Sequence, residues 1–411
     1  MLLPHARRPK DAVAAAARLA CMERAVIVEG ARTPVGKFLG SFAQTPAVQL
    51  GELAAIEALR RARVAPDQVE QTIIGHARQA GNGPNTGRQV SIRAGVPKEV
   101  SAYNVNIACG SGMKATQLGA QQIMLGESEV VLVGGIENMT RVPYLLPDMR
   151  LGHRLGNTEA VDAMYRDGLL DPLCELIMGE TAENLVDIYD VSREEQDEFA
   201  LQSQHKAAAG ANGRGAEMFP VEATLGRTTI TVDDDEHPRP DTSMESLAKL
   251  SPVFREGGSV TAGNSSGLTD GAAALVLMSE SRATSEGREP LAAITAMSWA
   301  GVPPEIMGIG PVPATQKVMD RLGCTIDDFE LIEINEAFAA QVIACERELK
   351  FDRERLNVKG GGISVGHPIG MSGARIILAL AYEMRHRDVS LGLATLCISG
   401  GQGLAVVLER R

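Results

Sequence analysis

The chain reads as an α/β protein built from two similar halves, with a non-repeating segment inserted between them. Strand-like apolar runs alternate with helix-length stretches, the rhythm of a largely parallel sheet covered by helices. That rhythm stops between about Met139 and Gly267 and then resumes. Leu59 to Ala77 (LRRARVAPDQVEQTIIGHA) also aligns without gaps to Met319 to Ala337 (MDRLGCTIDDFELIEINEA). Arg61 falls on Arg321, Asp67 on Asp327, Glu70 on Glu330 and Ile74 on Ile334, a constant offset of 260 residues. Self-similarity of this kind marks a duplicated βαβ-type unit.

A chain of 411 residues suggests two or three domains. We expect an N-terminal extension over 1–21, a first half from 22–138 completed by 268–290, an inserted lid over 139–267, and a second half over 291–411. Aromatic residues are only 3% while glycines number 43, so packing relies on small and aliphatic side chains in close layers. A net charge of -12 argues against a phosphate-backbone binder, so no nucleic-acid partner is expected. No apolar run reaches the roughly 18 to 20 residues that span a bilayer, so no membrane association is expected. Cys21, Cys109, Cys174, Cys324, Cys345 and Cys397 are scattered, without a CxxC pair or a His/Cys cluster. That pattern predicts no metal site and no disulfide scaffold, and fits a reducing, cytoplasmic location.

Residues 1–21 are Ala-rich, with Arg7, Arg8, Lys10 and Arg18 against Asp11. They read as a disordered extension or an upstream start; as a transit peptide, which would imply a mitochondrial location, they lack serine. Strand Ala25–Val28, a Gly/Pro loop, a helix near 47–63 and strand Thr72–Gly75 follow, then a helix near 86–94 and the turn at Cys109. The helix after that turn spans Met113 to Leu125, and a buried strand from Glu129 ends at Gly134-Gly135. In the insert, Ser192 and Glu195 have capping-box spacing and start a helix running to about Ala209. The acidic run Asp233 to Glu236 reads as a solvated loop, with metal binding a minor alternative. Regular rhythm returns at Ala272 to Met278.

Asn106-Ile107-Ala108-Cys109-Gly110-Ser111-Gly112 sets a thiol at the first turn of a helix, where free N–H groups and the positive end of the macrodipole favour thiolate. At an offset of 258 the same turn falls on Gly366-His367-Pro368-Ile369-Gly370, with Gly112 on Gly370. If the halves pack symmetrically, Cys109 meets His367, an imidazole able to take the thiol's proton and later donate to an oxyanion. Asn335, in Glu333-Ile334-Asn335-Glu336, stands at a strand end where ligands gather, either holding a water or carbonyl or simply capping a turn. Cys397 lies where a strand enters a glycine turn. With Cys109 it forms either a redox pair or a nucleophile and a proton shuttle.

Four segments, NVNIACGSG, EINEAF, GGGISVGHPIGMSGAR and CISGGQG, with ARTPVGKFLG and AGNSSGLTDGAAA, resemble the signatures of the thiolase family in that family's order. The resemblance covers Glu23 to Arg411. It implies a five-layer α-β-α-β-α sandwich with an inserted lid. It also implies an acyltransferase that cleaves 3-ketoacyl-CoA with CoA, or condenses two acetyl-CoA. Carried onto matching residues, Cys109 becomes the nucleophile, His367 its activator, Asn335 the holder of an oxyanion water, and Cys397 the acid/base. The backbone N–H groups of Cys109 and Ser399 form a second oxyanion site. Ser266, Met178 and Phe338 match positions along the coenzyme A channel. Ile177 stands where short-chain relatives commonly carry His, which leaves room for longer acyl chains. Coenzyme A is implied as a substrate, with no tightly bound cofactor, and a homodimer or homotetramer is expected. The alternative is a catalytically silent acyl-CoA-binding scaffold, which would be expected to have lost one of the four side chains; all four are present.

Overall fold

The computed structural model describes residues 23–410, so the extension expected over residues 1–21 lies outside them. The first half runs β1 (Ala25–Arg32), α1 (Ala47–Ala62), β2 (Gln71–His76), α2 (Thr86–Arg93), β3 (Ser101–Val105), α3 (Ser111–Met124) and β4 (Val130–Asn138). The intervening segment carries α4 (Met178–Tyr189) and α5 (Arg193–Ala209), and β5 (Thr269–Ser279) follows it. The second half runs β6 (Ala292–Gly301), α6 (Pro311–Leu322), β7 (Leu331–Ile334), α7 (Ala339–Leu349), α8 (Ile369–Arg387), β8 (Leu391–Ile398) and β9 (Gln402–Glu409).

The duplicated register survives into three dimensions. Single-turn helices at Pro66–Gln68 and Ile326–Asp328 stand 260 residues apart, as do the starts of β2 and β7. Helices α1 and α6 both end on a left-handed residue at that offset, Arg63 at φ 52° and Gly323 at φ 66°. Glu70 and Glu330 do the same work, each accepting a backbone N–H where the next strand begins, from Glu129 and Ser390.

Strand order is β3-β2-β4-β5-β1-β6-β9-β8-β7, and β1 joins β6 through only Val26–Ala293 and Ile27–Ala292. Two half-sheets of mirrored order therefore meet at a narrow seam. The sheet is mixed rather than largely parallel. Strand β2 is parallel to β3 and β4, and β7 to β8, but every pairing nearer the seam is antiparallel. Between β8 and β9 only Ser399, Gly400 and Gly401 intervene, and so short a connection can join only antiparallel strands.

Side-chain alternation along the strands creates the layers. Val130 and Leu132 of β4 and Ala274 and Val276 of β5 face α1, whereas Val131, Val133, Leu275 and Leu277 face α3 and α8. In the other half-sheet Leu396, Leu404 and Val406 face the same two helices, and Leu393, Ala405 and Val407 face α6 and α7. The result is helix, sheet, central helix pair, sheet, helix. Consistent with its central place, α8 is buried from Ile369 to Met384 on all sides.

Helices α3 and α8 cross almost backbone to backbone. A Cβ on Gly112 would lie 2.8 Å from the Ala374 nitrogen, and one on Gly373 2.4 Å from the Met113 nitrogen. Strand β4 does not stop at Gly134-Gly135 but runs on to Asn138, paired with β5 as far as Asp270. Position 135 must be glycine because a Cβ there would stand 2.1 Å from the Gly370 carbonyl oxygen.

Within the insert, Ser192 and Glu195 form the expected capping box, Ser192 Oγ accepting from Glu195 at 3.1 Å and Glu195 Oε2 from Ser192 at 2.8 Å. Only half of the acidic run is a solvated loop: Asp233 and Asp234 are exposed, but Asp235 and Glu236 turn inward. Asp235 is buried, chelated by Arg32 at 2.8 and 3.0 Å and by Arg214 at 3.0 Å, and it accepts the Val35 N–H at 2.8 Å. Burial raises its pKa, yet the two guanidinium groups hold the carboxyl below its usual range. Arg32 lies in the ARTPVGKFLG segment, so this cluster ties the insert to the first half.

Candidate active site

Cys109 sits in the turn Ala108–Gly110 directly before α3, with Ala108 at φ 45°. Two side chains lock that uncommon backbone. Asn106 Oδ1 accepts the Ala108 N–H at 3.0 Å, and Ser111 Oγ accepts the Ile107 N–H at 3.0 Å while donating to the Ala108 carbonyl at 2.7 Å. Asn106 Nδ2 also donates to the Ala77 carbonyl at 3.0 Å, so the turn hangs from the end of β2. Cys109 is half-buried beside an apolar cluster containing Ala77, Met164 and Ile369. The backbone N–H groups of Ser399 and of Cys109 itself lie near enough to its sulfur to oppose the rise in its pKa.

The location at a helix start suggests a thiolate, but the structure reverses that. Burial pushes the Cys109 thiol above its ordinary value, and the Glu137 carboxylate adds to the rise. Arg78 and the two N–H donors only partly oppose them. His367 is displaced the other way: burial, then Arg375 and Arg78, bring it down to about 3. Each shift favours the uncharged form, so the resting site is a neutral thiol with a neutral imidazole.

Hydrogen bonding assigns the imidazole tautomer. Ser372 Oγ donates to the Pro368 carbonyl at 2.9 Å, which commits its only proton. The 2.6 Å contact between His367 Nδ1 and Ser372 Oγ is then donated by Nδ1–H. Nε2 is left with its lone pair, facing Asn335 Nδ2 at 3.4 Å. Asn335 follows β7 and is fully buried, its N–H bonded to the Thr395 carbonyl of β8 at 3.1 Å. Its Oδ1 has no hydrogen-bond partner among the described residues. Leaving such an acceptor unmet costs about 1–3 kcal/mol, which marks a place for water or ligand.

Two residues beyond Thr395, Cys397 is buried, and its thiol is pushed well above the usual value by burial, by Cys109 and by Cys345. The apolar cluster around Cys397 contains Phe338, Ala337 and Met307, with Met178 and Phe254 packed on it. Phe254 meets Phe338 edge to face at 6.0 Å. Ser266 donates its N–H to the Ala337 carbonyl at 2.9 Å, placing it against the same turn. Ile177 precedes α4 and pairs with Leu170 in a short hairpin of the insert. Cys397, Phe338 and Met178 thus share one cluster, Cys397 lies near Cys109, and Asn335 meets His367, whereas Ile177 is placed only by its hairpin with Leu170.

Comparison with known proteins places the chain in one family. Residues 25–281 match the family model described as Thiolase, N-terminal domain, and residues 288–410 match Thiolase, C-terminal domain. The chain belongs to the thiolase family. Among curated relatives of this thiolase, the acetyl-CoA acetyltransferase of Escherichia coli K12 is 47% identical over 392 residues, covering 95% of this chain and 100% of that one. The acetyl-CoA acetyltransferase of Pseudomonas aeruginosa is 48% identical over 392 residues, with the same coverage. Among solved structures, the Bacillus anthracis acetyl-CoA acetyltransferase superposes with a TM-score of 0.92 at 45% identity, covering 94% of this chain and 99% of that one. Human mitochondrial 3-ketoacyl-CoA thiolase in complex with CoA superposes with a TM-score of 0.90 at 40% identity, covering 95% and 98%.

Several residues that sequence reasoning passed over support the thiolase site. Glu137, fully buried in β4, accepts the Arg78 N–H at 3.1 Å and the Gly370 N–H at 3.0 Å, fastening the loop after β2 to the start of α8. Glu336 accepts from Asn357, Ser203 and the Ile363 N–H at 2.7, 2.7 and 3.1 Å, fixing the glycine-rich loop that leads to His367. Ser372 is one turn into α8. Its five-residue spacing from His367 was the one local signal available; the others depend on contacts between distant segments.

Proposed function

We propose that this thiolase, an acyltransferase, works through an acyl-cysteine on Cys109. The observations that support the reading are that Cys397 lies near Cys109, that Cys109 packs with Ile369 at the start of the helix that follows His367, and that His367 meets Asn335 at 3.4 Å. In the cleaving direction Cys109 Sγ attacks the 3-keto carbonyl of a 3-ketoacyl-CoA as its proton passes to His367 Nε2. Collapse of that adduct breaks the C2–C3 bond. The departing acetyl-CoA carbanion takes its proton from Cys397, a thiol held protonated by its surroundings.

The Cys397 thiolate then takes the proton of incoming CoA. The CoA sulfur attacks the acyl-cysteine, and the expelled Cys109 sulfur recovers its proton from His367. Condensation of two acetyl-CoA is the same sequence reversed. Negative charge on the reacting oxygens is met by His367 with an Asn335-held water at one step, and by the Cys109 and Ser399 N–H groups at the other. Each such donor contributes about 10²–10³ in rate.

Met178, Phe338 and Ser266 are assigned to the pantetheine channel; in support, Met178 and Phe338 pack in the cluster that holds Cys397, and Ser266 bonds the neighbouring Ala337 carbonyl. The CoA complex of the human relative supports CoA as substrate. Ile177 puts an aliphatic group at the acyl end, which favours acceptance of chains longer than acetoacetyl. We further assign the protein to the cytoplasm as a homodimer or homotetramer. Light scattering on the purified protein tests the assembly.

The test of function is loss of 3-ketoacyl-CoA absorbance on adding CoA. Wild-type protein should turn over acetoacetyl-CoA and longer substrates with the parallel double-reciprocal lines of a ping-pong reaction. Cys109→Ser should lose roughly 10⁴-fold or more while keeping its fold. Full activity without the Cys109 thiol would overturn the mechanism, and activity confined to acetoacetyl-CoA would overturn the reading of Ile177.

A further inference from the structure

The turn that supplies the Ser399 N–H is poorly fixed by its own sequence. Ser399, Gly400 and Gly401 link β8 to β9, and both glycines adopt left-handed backbone, φ 82° and 79°. Two adjacent glycines give the turn many conformations to lose on ordering. On one side Ser399 is anchored by the ladder, where Ile398 pairs with Gln402. On the other side the anchor comes from the insert: the Gly400 N–H donates to Asp171 Oδ2 at 2.7 Å.

Asp171 itself is only 2% exposed and forms no ion pair among the described residues. Its other oxygen accepts the Leu173 N–H at 2.9 Å. A buried carboxylate held by two backbone N–H groups and no cation is expensive to desolvate. Its position gives the expense a use, because Asp171 lies in the hairpin Leu170–Asp171/Leu176–Ile177 that leads directly into α4 and Met178. Leu173 from the same hairpin reaches within 3.8 Å of where a Cβ on Gly400 would stand.

We propose that Asp171 is a positioning residue for the acyl-transfer reaction: by clamping the Gly400 N–H it fixes the preceding Ser399 N–H near the Cys109 sulfur, where it can meet the oxyanion that forms there. The inference rests on the thiolase reading and deepens it, because it makes the insert part of the oxyanion site as well as a cover over the acyl-CoA. With the clamp removed, the Ser399 donor wanders and both the thiolate and the oxyanion lose it.

The experiment compares wild type, Asp171→Ala and Asp171→Asn by two readouts, steady-state thiolysis of acetoacetyl-CoA and the pH dependence of Cys109 alkylation by iodoacetamide. Asp171→Ala should lower kcat roughly 10²-fold with KM for CoA little changed. It should also move the alkylation midpoint upward by about one pH unit, the value of a hydrogen bond to a charged group. An asparagine can accept only one of the two N–H groups, so Asp171→Asn should fall between wild type and Asp171→Ala. If the alanine variant does not fold, the asparagine variant decides alone. A variant with unchanged kcat and an unmoved alkylation midpoint overturns the clamp while leaving the thiolase reading intact. Absence of thiolysis in wild type overturns the reading beneath it.

Discussion

The turn before α3 and the turn before α8 occupy matching places in the two halves, yet they present opposite chemistry. Both precede a central helix, and the two helices touch at Gly112 and Gly373. The first turn leaves Cys109 half-buried, with its sulfur open to donors from the other half. The second buries His367 to 6% exposure and engages both ring nitrogens. Duplication thus provides one backbone device twice, a helix start rich in small residues. Specialisation then lies in what surrounds each copy. Burial first, then Arg375 and Arg78, keep the imidazole neutral, so its surroundings rather than the helix start set its charge.

The largest expected effect breaks the pairing of the two turns. His367→Ala should lower kcat by about 10²–10⁴-fold, the usual worth of a positioned general base. Cys109 should remain alkylatable by iodoacetamide above pH 9, since its sulfur and the nearby Ser399 N–H are untouched. A variant retaining wild-type kcat would show that the base lies elsewhere.

Much of this scaffold was legible because duplication prints the same local signals twice. Arg63 and Gly323 end equivalent helices, and Glu70 and Glu330 open equivalent strands, so a register read from letters becomes a register in space. The candidate site was legible as positions, since its four side chains all sit at strand ends or helix starts, three of them near glycines and Asn335 without one. Charge partnerships were not legible. Asp235 reads as one acid in an exposed run, and only the approach of Arg32, some 200 residues earlier, makes it a buried ion-pair centre. Asp171 and Glu137 were invisible for the same reason, each serving a backbone N–H more than 200 residues away. The pKa of Cys109 was misread because helix position is local, whereas burial is a property of the assembled fold.

The next effect probes the shared scaffold. Gly112→Ala should cost about 1–3 kcal/mol in urea denaturation, since the new methyl would press on the α8 backbone, which cannot rotate away. Gly301→Ala is the control; its Cβ would find nothing nearer than 3.9 Å, and its midpoint should barely move. Equal stability of the two variants would refute close packing of the central helices. Smaller again is Ser372→Ala, which removes the acceptor that fixes the Nδ1–H tautomer of His367. We expect about a tenfold loss in kcat, near the worth of one hydrogen bond, with folding unaffected. No change in kcat would mean that the ring is oriented without it.

The smallest effect on turnover sharpens a second contrast between the halves. At the 260-residue offset, Glu333 of β7 answers to Ile73 of β2, so one half buries an acid where the other buries an isoleucine. Burial raises the Glu333 carboxyl to about 8, with Arg375 opposing, and its Oε2 has no hydrogen-bond partner among the described residues. A folded-state value above the unfolded one means that the native protein holds a proton the unfolded chain has released. Stability from this group is therefore complete below the ordinary carboxylate value of 4.5 and declines as pH rises towards 8. Glu333→Gln should match wild type in urea midpoint near pH 4.5, grow relatively more stable as pH rises to 8, and keep kcat within about twofold. A stability difference that does not vary with pH would show that Glu333 is ionised throughout, with Arg375 closer to it than the folded structure places them.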